Sequence, residues 1–223
     1  MAEQRLGALQ TLTAGLAHQI RNPLNSARLQ LEVAERRLRR SGGDPTLAEP
    51  IELAHREIDR LAHLVDELLV FARPLALDAR EHDVVAIARD VLEREQPAAL
   101  RARAHLSLVG DPAVLAEVDP VKLGQVIENL VVNAIEAVPH GGHVSVAVVG
   151  RGKHVHICVT DDGGGIPSDV LPRVYEPFFS TKADGTGMGM SIVHSLVALH
   201  RGAIEVRSSA VGTTFDVSIP RRA

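Results

Sequence analysis

The sequence predicts a two-part chain of the α plus α+β class: a helical hairpin that forms a dimeric four-helix bundle, followed by an α/β sandwich. Apolar residues recur every three or four positions from Leu9 to Leu38 and again from Ile51 to Ala72, as on amphipathic helices. Beyond these repeats the pattern changes to mixed helix and strand. With 223 residues, 45% of them hydrophobic, the chain can bury two cores.

The first part is expected to be an antiparallel hairpin. Pro23 should bend the first helix, and the turn-forming residues 41–45 (SGGDP) should end it. The second helix should end near Arg73, just before Pro74. A lone hairpin would leave much of its apolar stripe in water, so the pattern predicts a homodimer. The predicted boundaries are 1–73 for the hairpin, 74–81 for a linker and 82–223 for the second domain.

The second part alternates helices and strands. Asp119 and Pro120 are typical of a helix start, and we expect that helix to run to Val138. Period-two alternation joined by GRGK predicts a hairpin of strands. The expected elements are a helix at 84–100, strands at 104–110, 113–119, 143–149 and 154–160, a helix at 190–199, and strands at 203–208 and 213–219.

Composition excludes several classes of function. The net charge is −4 with both signs interspersed, so no nucleic-acid partner is expected. No apolar run approaches the ~20 residues that cross a bilayer, so we expect no membrane contact by this chain, although a parent protein could be anchored. The lone Cys158 has no disulfide partner and is expected to be buried and unreactive, which favours a reducing, cytoplasmic location.

Three segments of the second part carry candidate binding residues. Asn129 and Asn133 lie four positions apart and share one helix face. Asp161 follows a strand and begins a D-x-G-x-G sequence with Gly163 and Gly165, in which a carboxylate can accept a hydrogen bond from a base amine. The neighbouring Asp162 is expected to be a solvated turn residue. The third segment is glycine-rich, and alternate glycines before a helix can bind phosphates through backbone N–H groups; they are Gly185, Gly187 and Gly189.

The order of these segments, preceded by HQIRNPL around His18, resembles the transmitter core of two-component sensor histidine kinases. The resemblance implies a Bergerat-type ATP-binding domain with ATP and Mg²⁺ as cofactors, and a receiver domain of a response regulator as partner. Type II topoisomerases, mismatch-repair ATPases and heat-shock chaperones share the pocket motifs. The N-terminal hairpin with its phosphoacceptor sequence favours the kinases.

The resemblance also implies roles for individual residues. Asn129 and Asn133 would face the nucleotide, with Asn133 holding the metal ion, and Asp161 would read the adenine. The stretch with Gly185, Thr186, Gly187 and Gly189 would form the ATP lid. Phe178 and Phe179 are expected to anchor it by packing, although at least one of them is expected to be an ordinary core aromatic. Lys182 either contacts the terminal phosphate or is a solvated loop residue. His18 would receive the phosphoryl group.

One position departs from the family pattern. Gln19 stands where the family normally has Glu or Asp, whose carboxylate acts as general base toward the histidine. Asn22, four residues after His18, would orient the water that dephosphorylates the partner, or it would only satisfy backbone groups freed by Pro23. The sequence therefore predicts a histidine kinase, with two alternatives: an ATP-binding dimeric scaffold, or a phosphatase-biased member with weak autokinase activity.

Overall fold

The computed structural model divides the chain into two compact units, Met1–Leu75 and Ala76–Ala223. It describes residues 24–38, 47, 50–55, 58, 61, 76–182 and 186–222. In the first unit, residues 24–38 form helix α1, and residues 50–55 together with 58 and 61 are helical and define α2. His18, Gln19 and Asn22 lie outside the described residues.

Most of the described part of the hairpin follows the predicted apolar stripe, but Ala34 of that stripe is exposed. Leu24, Ala27 and Leu31 on α1 are half-buried. Leu29, off the stripe, is 62% exposed, and Leu61, on the stripe of α2, is still 41% exposed. In the parts of the chain that the structure describes, no helix has both the length and the apolar character needed to span a membrane.

The second unit contains three α-helices and seven strands among its described residues. The strands form a pair, β1 with β3, and a five-stranded sheet in the order β2-β4-β5-β7-β6. In the larger sheet β2 is parallel to β4, and all other neighbours are antiparallel. The elements are β1 (Arg80–Asp83), α3 (Val84–Ala102), β2 (His105–Gly110), β3 (Leu115–Val118), α4 (Pro120–Ala137), β4 (His143–Arg151), β5 (His154–Asp161), α5 (Gly189–Leu199), β6 (Ala203–Ser209) and β7 (Gly212–Pro220).

Most of these elements were expected, but β1 was not. This strand begins at Arg80, inside the predicted linker 74–81, and pairs with β3 through the register Arg80 to Val118. Its sequence REHD is too short and polar to show a strand period. The strand exists because β3, predicted from its own pattern, provides a partner across a separation of more than 30 residues.

Helix α4 begins where the sequence predicts. Oδ1 of Asp119 accepts hydrogen bonds from the backbone N–H groups of Val121 and Lys122, both at 3.1 Å, and Pro120 occupies the first turn. Oδ2 accepts from Lys122 Nζ at 2.5 Å. Burial opposes ionisation of Asp119, but these donors prevail and hold the pKa of the carboxyl below its usual range. The cap therefore fixes the start of the helix that carries both candidate asparagines.

The core lies between the large sheet and a layer of helices. Helix α3 packs on β2, α4 on β4 and β5, and α5 on β6. Alternation along β4 and β5 points one set of side chains at the helices, where they are completely or almost completely buried: Val144, Val146, Val148, Val155, Ile157 and Val159. Burial of each such side chain stabilises the fold by about 1.5–3 kcal/mol. The packing of these side chains therefore fixes the positions of α4 and α5 on the sheet.

The opposite face of the sheet is more polar and holds the lone cysteine. Cys158 is half-buried, not fully buried as expected. Burial, with the Asp216 carboxylate beside it, raises the pKa of its thiol to about 11. The thiol is therefore protonated at neutral pH and unreactive, as the sequence predicts.

A buried histidine joins α4 to α5. His200, 5% exposed, follows the last residue of α5. Its Nε2 accepts a hydrogen bond from the backbone N–H of Asp119 at 3.2 Å, and its Nδ1 donates to the carbonyl of Leu196 at 2.8 Å. Both ring nitrogens are thus engaged, and the end of α5 is tied to the start of α4.

Candidate nucleotide-binding site

Asn129 and Asn133 share one face of α4, as predicted, and both are half-buried. Nδ2 of Asn129 donates a hydrogen bond to the carbonyl of Gln125 at 3.0 Å, so its Oδ1 is turned away from that carbonyl. A Cβ added at Gly189 would lie 3.2 Å from this Oδ1. Asn129 is therefore in close contact with the first residue of α5.

Asp161 ends β5 and is 7% exposed. Its Oδ1 accepts hydrogen bonds from the backbone N–H of Gly163 at 2.9 Å and from that of Thr213 at 3.3 Å. Burial raises the pKa of the carboxyl above its ordinary value of 3.8, although these two donors act in the opposite direction. Both bonds use Oδ1, so Oδ2 is available to accept from a base amine. The geometry fits the role that the sequence predicts for this residue.

The loop after Asp161 is held against α4 and against the β6–β7 hairpin. A Cβ at Gly163 would lie 2.5 Å from the carbonyl oxygen of Ala137, at the last turn of α4. Gly165 has a φ of +73°, and a Cβ there would lie 1.8 Å from the carbonyl oxygen of Ser209. Ser208 Oγ accepts from the N–H of Ile166 at 2.7 Å. The D-x-G-x-G spacing thus places glycines at the two positions where the loop backbone comes close to the carbonyl oxygens of Ala137 and Ser209.

Asp162 is exposed, as expected of a solvated residue. Its Oδ1 also accepts a hydrogen bond from the backbone N–H of His143 at 2.7 Å. The side chain therefore ties the start of β4 to the end of β5, a structural contact that the sequence did not predict.

The two phenylalanines do not pack as a pair. Phe178 has a φ of +66° and is 69% exposed, so the expectation that it anchors the glycine-rich segment by packing was wrong. Phe179 is half-buried, with the Arg173 guanidinium 4.1 Å from its ring centroid. Gly187, at φ +69°, lies so close to their backbone that a Cβ would be 2.5 Å from the Phe178 carbonyl carbon. The backbone of this segment, rather than the Phe178 ring, supports Gly187.

The start of α5 offers free backbone donors. Thr186 Oγ1 accepts from the N–H of Met188 at 3.3 Å, and Met188 itself is 4% exposed. No side chain caps α5, because Met188 at the N-cap position has no oxygen to accept a hydrogen bond. Backbone N–H groups in the first turn of such a helix attract anions such as phosphates. This end of α5 is the one that contacts Asn129.

Lys182 is exposed, but its ammonium has two partners on α4. Its ammonium forms a short hydrogen bond with Glu136 Oε2 and lies 3.5 Å from Asn133 Oδ1. A cation therefore already lies beside the asparagine that is expected to hold the metal ion. Gly185, the remaining candidate of this segment, lies outside the described residues.

Three segments thus meet around the second half of α4. Gly163 contacts Ala137, Lys182 contacts Asn133 and Gly189 contacts Asn129. Sequence reasoning missed Thr213 and Glu136. Thr213 acts through its backbone N–H, which carries no signal in the residue type, whereas Glu136 could have been found from its spacing of three from Asn133. The arrangement combines a buried acceptor, amide oxygens, a cation and a helix N-terminus, as a nucleotide site requires.

Comparison with protein families separates the two halves of the chain. Residues 118–223 match the model described as histidine kinase-, DNA gyrase B- and HSP90-like ATPase. Residues 8–76, which include His18, match the His Kinase A phosphoacceptor domain. The chain belongs to the sensor histidine kinases. The phosphoacceptor match decides among the ATPases that share the pocket, as the hairpin predicted.

Individual histidine kinases resemble the chain along nearly all of its length. Sensor histidine kinase ZraS of Escherichia coli strain K12 is 38% identical over 227 residues, which take in 98% of this chain and 47% of that protein. Sporulation kinase E of Bacillus subtilis strain 168 is 33% identical over 216 residues, 95% of this chain and 28% of that kinase. The chain thus spans about half the length, or less, of these curated relatives.

Solved histidine kinases share the fold. Full-length ShkA in complex with AMPPNP superposes with a TM-score of 0.78 at 26% identity, over 94% of this chain and 45% of ShkA. Histidine kinase ThkA in complex with the response regulator protein TrrA gives a TM-score of 0.71 at 26% identity, over 98% of this chain and 64% of that chain. A helical N-terminal part followed by an α/β ATPase domain is therefore the architecture of this family.

Proposed function

We propose that the chain binds Mg²⁺-ATP in its second unit, transfers the terminal phosphoryl group to His18 and passes it to an aspartate of a receiver domain. The observation that carries the proposal is the convergence of Gly163, Lys182 and Gly189 on one face of α4, beside the buried Asp161. The phosphoacceptor match over residues 8–76 supplies the histidine. AMPPNP in the similar kinase ShkA and the response regulator in the ThkA complex support the same nucleotide and partner classes.

The residues that meet at the site each have a role in nucleotide binding. Asp161 accepts the hydrogen bond of the adenine amine through Oδ2, and the glycines at 163 and 165 allow the loop after it to pack against Ala137 and Ser209. The N–H groups at the start of α5 donate to phosphate oxygens, and Lys182 supplies a positive charge for the terminal phosphate.

The donor set also fits Mg²⁺. The amide oxygen of Asn133 is a hard ligand, and the Lys182 ammonium at 3.5 Å supports a position for a cation beside it. Asn133 would hold the ion, which neutralises charge on the phosphate oxygens when bound. The protein residues position the nucleotide so that the His18 imidazole can attack the terminal phosphorus.

The apolar stripe supports a homodimer. A single hairpin leaves Leu61 of the predicted stripe 41% exposed, and a second copy would cover it in a four-helix bundle. The single cysteine and the kinase chemistry both fit a cytoplasmic location for this part of the protein.

Gln19 supports a second candidate function. A glutamine cannot accept the imidazole proton, and general acid–base assistance is worth about 10²–10⁴-fold. A phosphatase-biased kinase or an ATP-binding scaffold would retain the nucleotide site and Asn22 while transferring little phosphate to His18. The two candidates differ in the rate of autophosphorylation, not in nucleotide affinity.

Incubation of the full chain with γ-labelled ATP tests the proposal. His18→Ala should remove the acid-labile label, whereas the matched control His55→Ala should retain it. Gln19→Glu should raise the initial rate by about 10²–10⁴-fold with nearly unchanged ATP affinity. Label that survives the loss of His18 would contradict the phosphoacceptor assignment. Equal rates for the wild-type chain and the Gln19→Glu variant would show that another group serves as the base.

A further inference from the structure

Glu136 has so far been described only as the partner of Lys182, although it shares the face of the two asparagines. It follows Asn133 by three positions and Asn129 by seven, so all three side chains lie along one side of α4. Its carboxylate and the Asn133 amide oxygen contact the same ammonium, that of Lys182. Two oxygen donors from adjacent turns therefore hold a single cation.

The exposure of the pair shows that this cation can be exchanged. The side chain of Lys182 is 43% exposed and that of Glu136 is 51% exposed. An ion pair with so much contact with water contributes little to the stability of the fold. Amide and carboxylate oxygens are also the donors that Mg²⁺ prefers, and a divalent ion gains more from a carboxylate than an ammonium does. A lysine is therefore a weak occupant of a position suited to a divalent cation.

We propose that Glu136 is a second cation-holding residue beside Asn133, and that Mg²⁺ and the Lys182 ammonium exchange at this position when the nucleotide binds. The inference rests on the proposed function and deepens it. Once Mg²⁺ takes the two oxygens, the ammonium is released next to the phosphates, where its proposed contact with the terminal phosphate is made. Lys182 thus competes with the metal ion before the exchange and complements the phosphate after it.

The dependence of ADP affinity on Mg²⁺ tests this exchange. ADP lacks the terminal phosphate, so its binding does not include the contact proposed for Lys182. The dissociation constant of ADP for the full chain is measured by calorimetry with Mg²⁺ and with EDTA. The value in EDTA divided by the value in Mg²⁺ gives the factor by which the metal ion strengthens ADP binding. Glu136→Gln should reduce this ratio by about tenfold, as loss of a group that supports a metal does. Lys182→Met should increase it, because the competing cation is gone.

The opposite changes expected for Glu136→Gln and Lys182→Met distinguish the proposed exchange from an ordinary surface salt bridge. The control Glu128→Gln removes a carboxylate from the same helix, at a position that lines the groove between α3 and α4, and should leave the ratio unchanged. An unchanged ratio in Glu136→Gln, or shifts in the same direction for Glu136→Gln and Lys182→Met, would overturn the exchange while the nucleotide site stands. A wild-type chain that binds no ADP would instead overturn the proposed function, and this inference with it.

Discussion

Replacement of Asp161 by asparagine should separate nucleotide binding from folding. The side-chain oxygen of asparagine can accept the N–H groups of Gly163 and Thr213, as Oδ1 does now. The amide nitrogen then takes the place of Oδ2 and presents a donor to the donating amine of adenine. A hydrogen bond to a charged acceptor contributes about 1.5–3 kcal/mol, so the dissociation constant of AMPPNP should rise by about 10- to 150-fold.

The same substitution should not lower the melting temperature. Burial raises the pKa of Asp161, so the folded protein holds this proton more tightly than the unfolded chain does. The ionised carboxylate therefore costs stability at neutral pH, and a neutral amide avoids this cost. By contrast, Asp161→Ala leaves two backbone N–H groups without their acceptor and should destabilise the domain by about 1–3 kcal/mol.

Calorimetric titration with AMPPNP and thermal unfolding of the same samples measure both effects. Asp162→Asn is the matched control, because the exposed Asp162 only accepts the N–H of His143 and an amide oxygen can do the same. Its affinity should stay within about twofold of wild type. AMPPNP affinity that is unchanged in Asp161→Asn would remove this residue from the site and refute the orientation of the base.

Three further predictions follow from the fold and the site. Gly165→Ala should lower the melting temperature and weaken AMPPNP binding, because φ is +73° and the new Cβ would lie 1.8 Å from the Ser209 carbonyl oxygen. A melting temperature equal to that of the wild type would contradict this close approach. AMPPNP affinity should fall as the pH decreases toward the raised pKa of Asp161, and this fall should begin at a higher pH than for an ordinary carboxyl group. Calorimetry should show no such pH dependence in Asp161→Asn. Residues 1–73 should dimerise while residues 82–223 remain monomeric by light scattering, and a monomeric hairpin at high concentration would refute the four-helix bundle.

The sequence predicted those features that depend on nearby residues. The start of α4 at Asp119 and Pro120, and the β4–β5 hairpin, follow from local cap and turn chemistry and appear as expected. Asp161 was found because its glycines stand at fixed spacing in the chain. Local periodicity is enough for such features, since the groups that interact are only a few residues apart.

The features that the sequence did not predict depend on distant partners. Strand β1 exists through its pairing with β3, and Glu136 contacts Lys182, 46 residues away. The position of Phe178 depends on a positive φ that its residue type does not favour. No short pattern encodes these contacts, because each is decided by which segments the sheet brings together.

The imidazole of His200 anchors the C-terminal end of α5 to the start of α4. The planar ring joins the last turn of α5 to the N–H of Asp119, so the far end of this helix is fixed at one point. The 11 residues of α5 make a rod about 16 Å long. A tilt of about 10° around the ring would therefore carry the free N–H groups at Gly189 by about 3 Å, the length of one hydrogen bond. A tilt of this size would therefore decide whether these N–H groups lie within hydrogen-bond distance of a phosphate bound as proposed above.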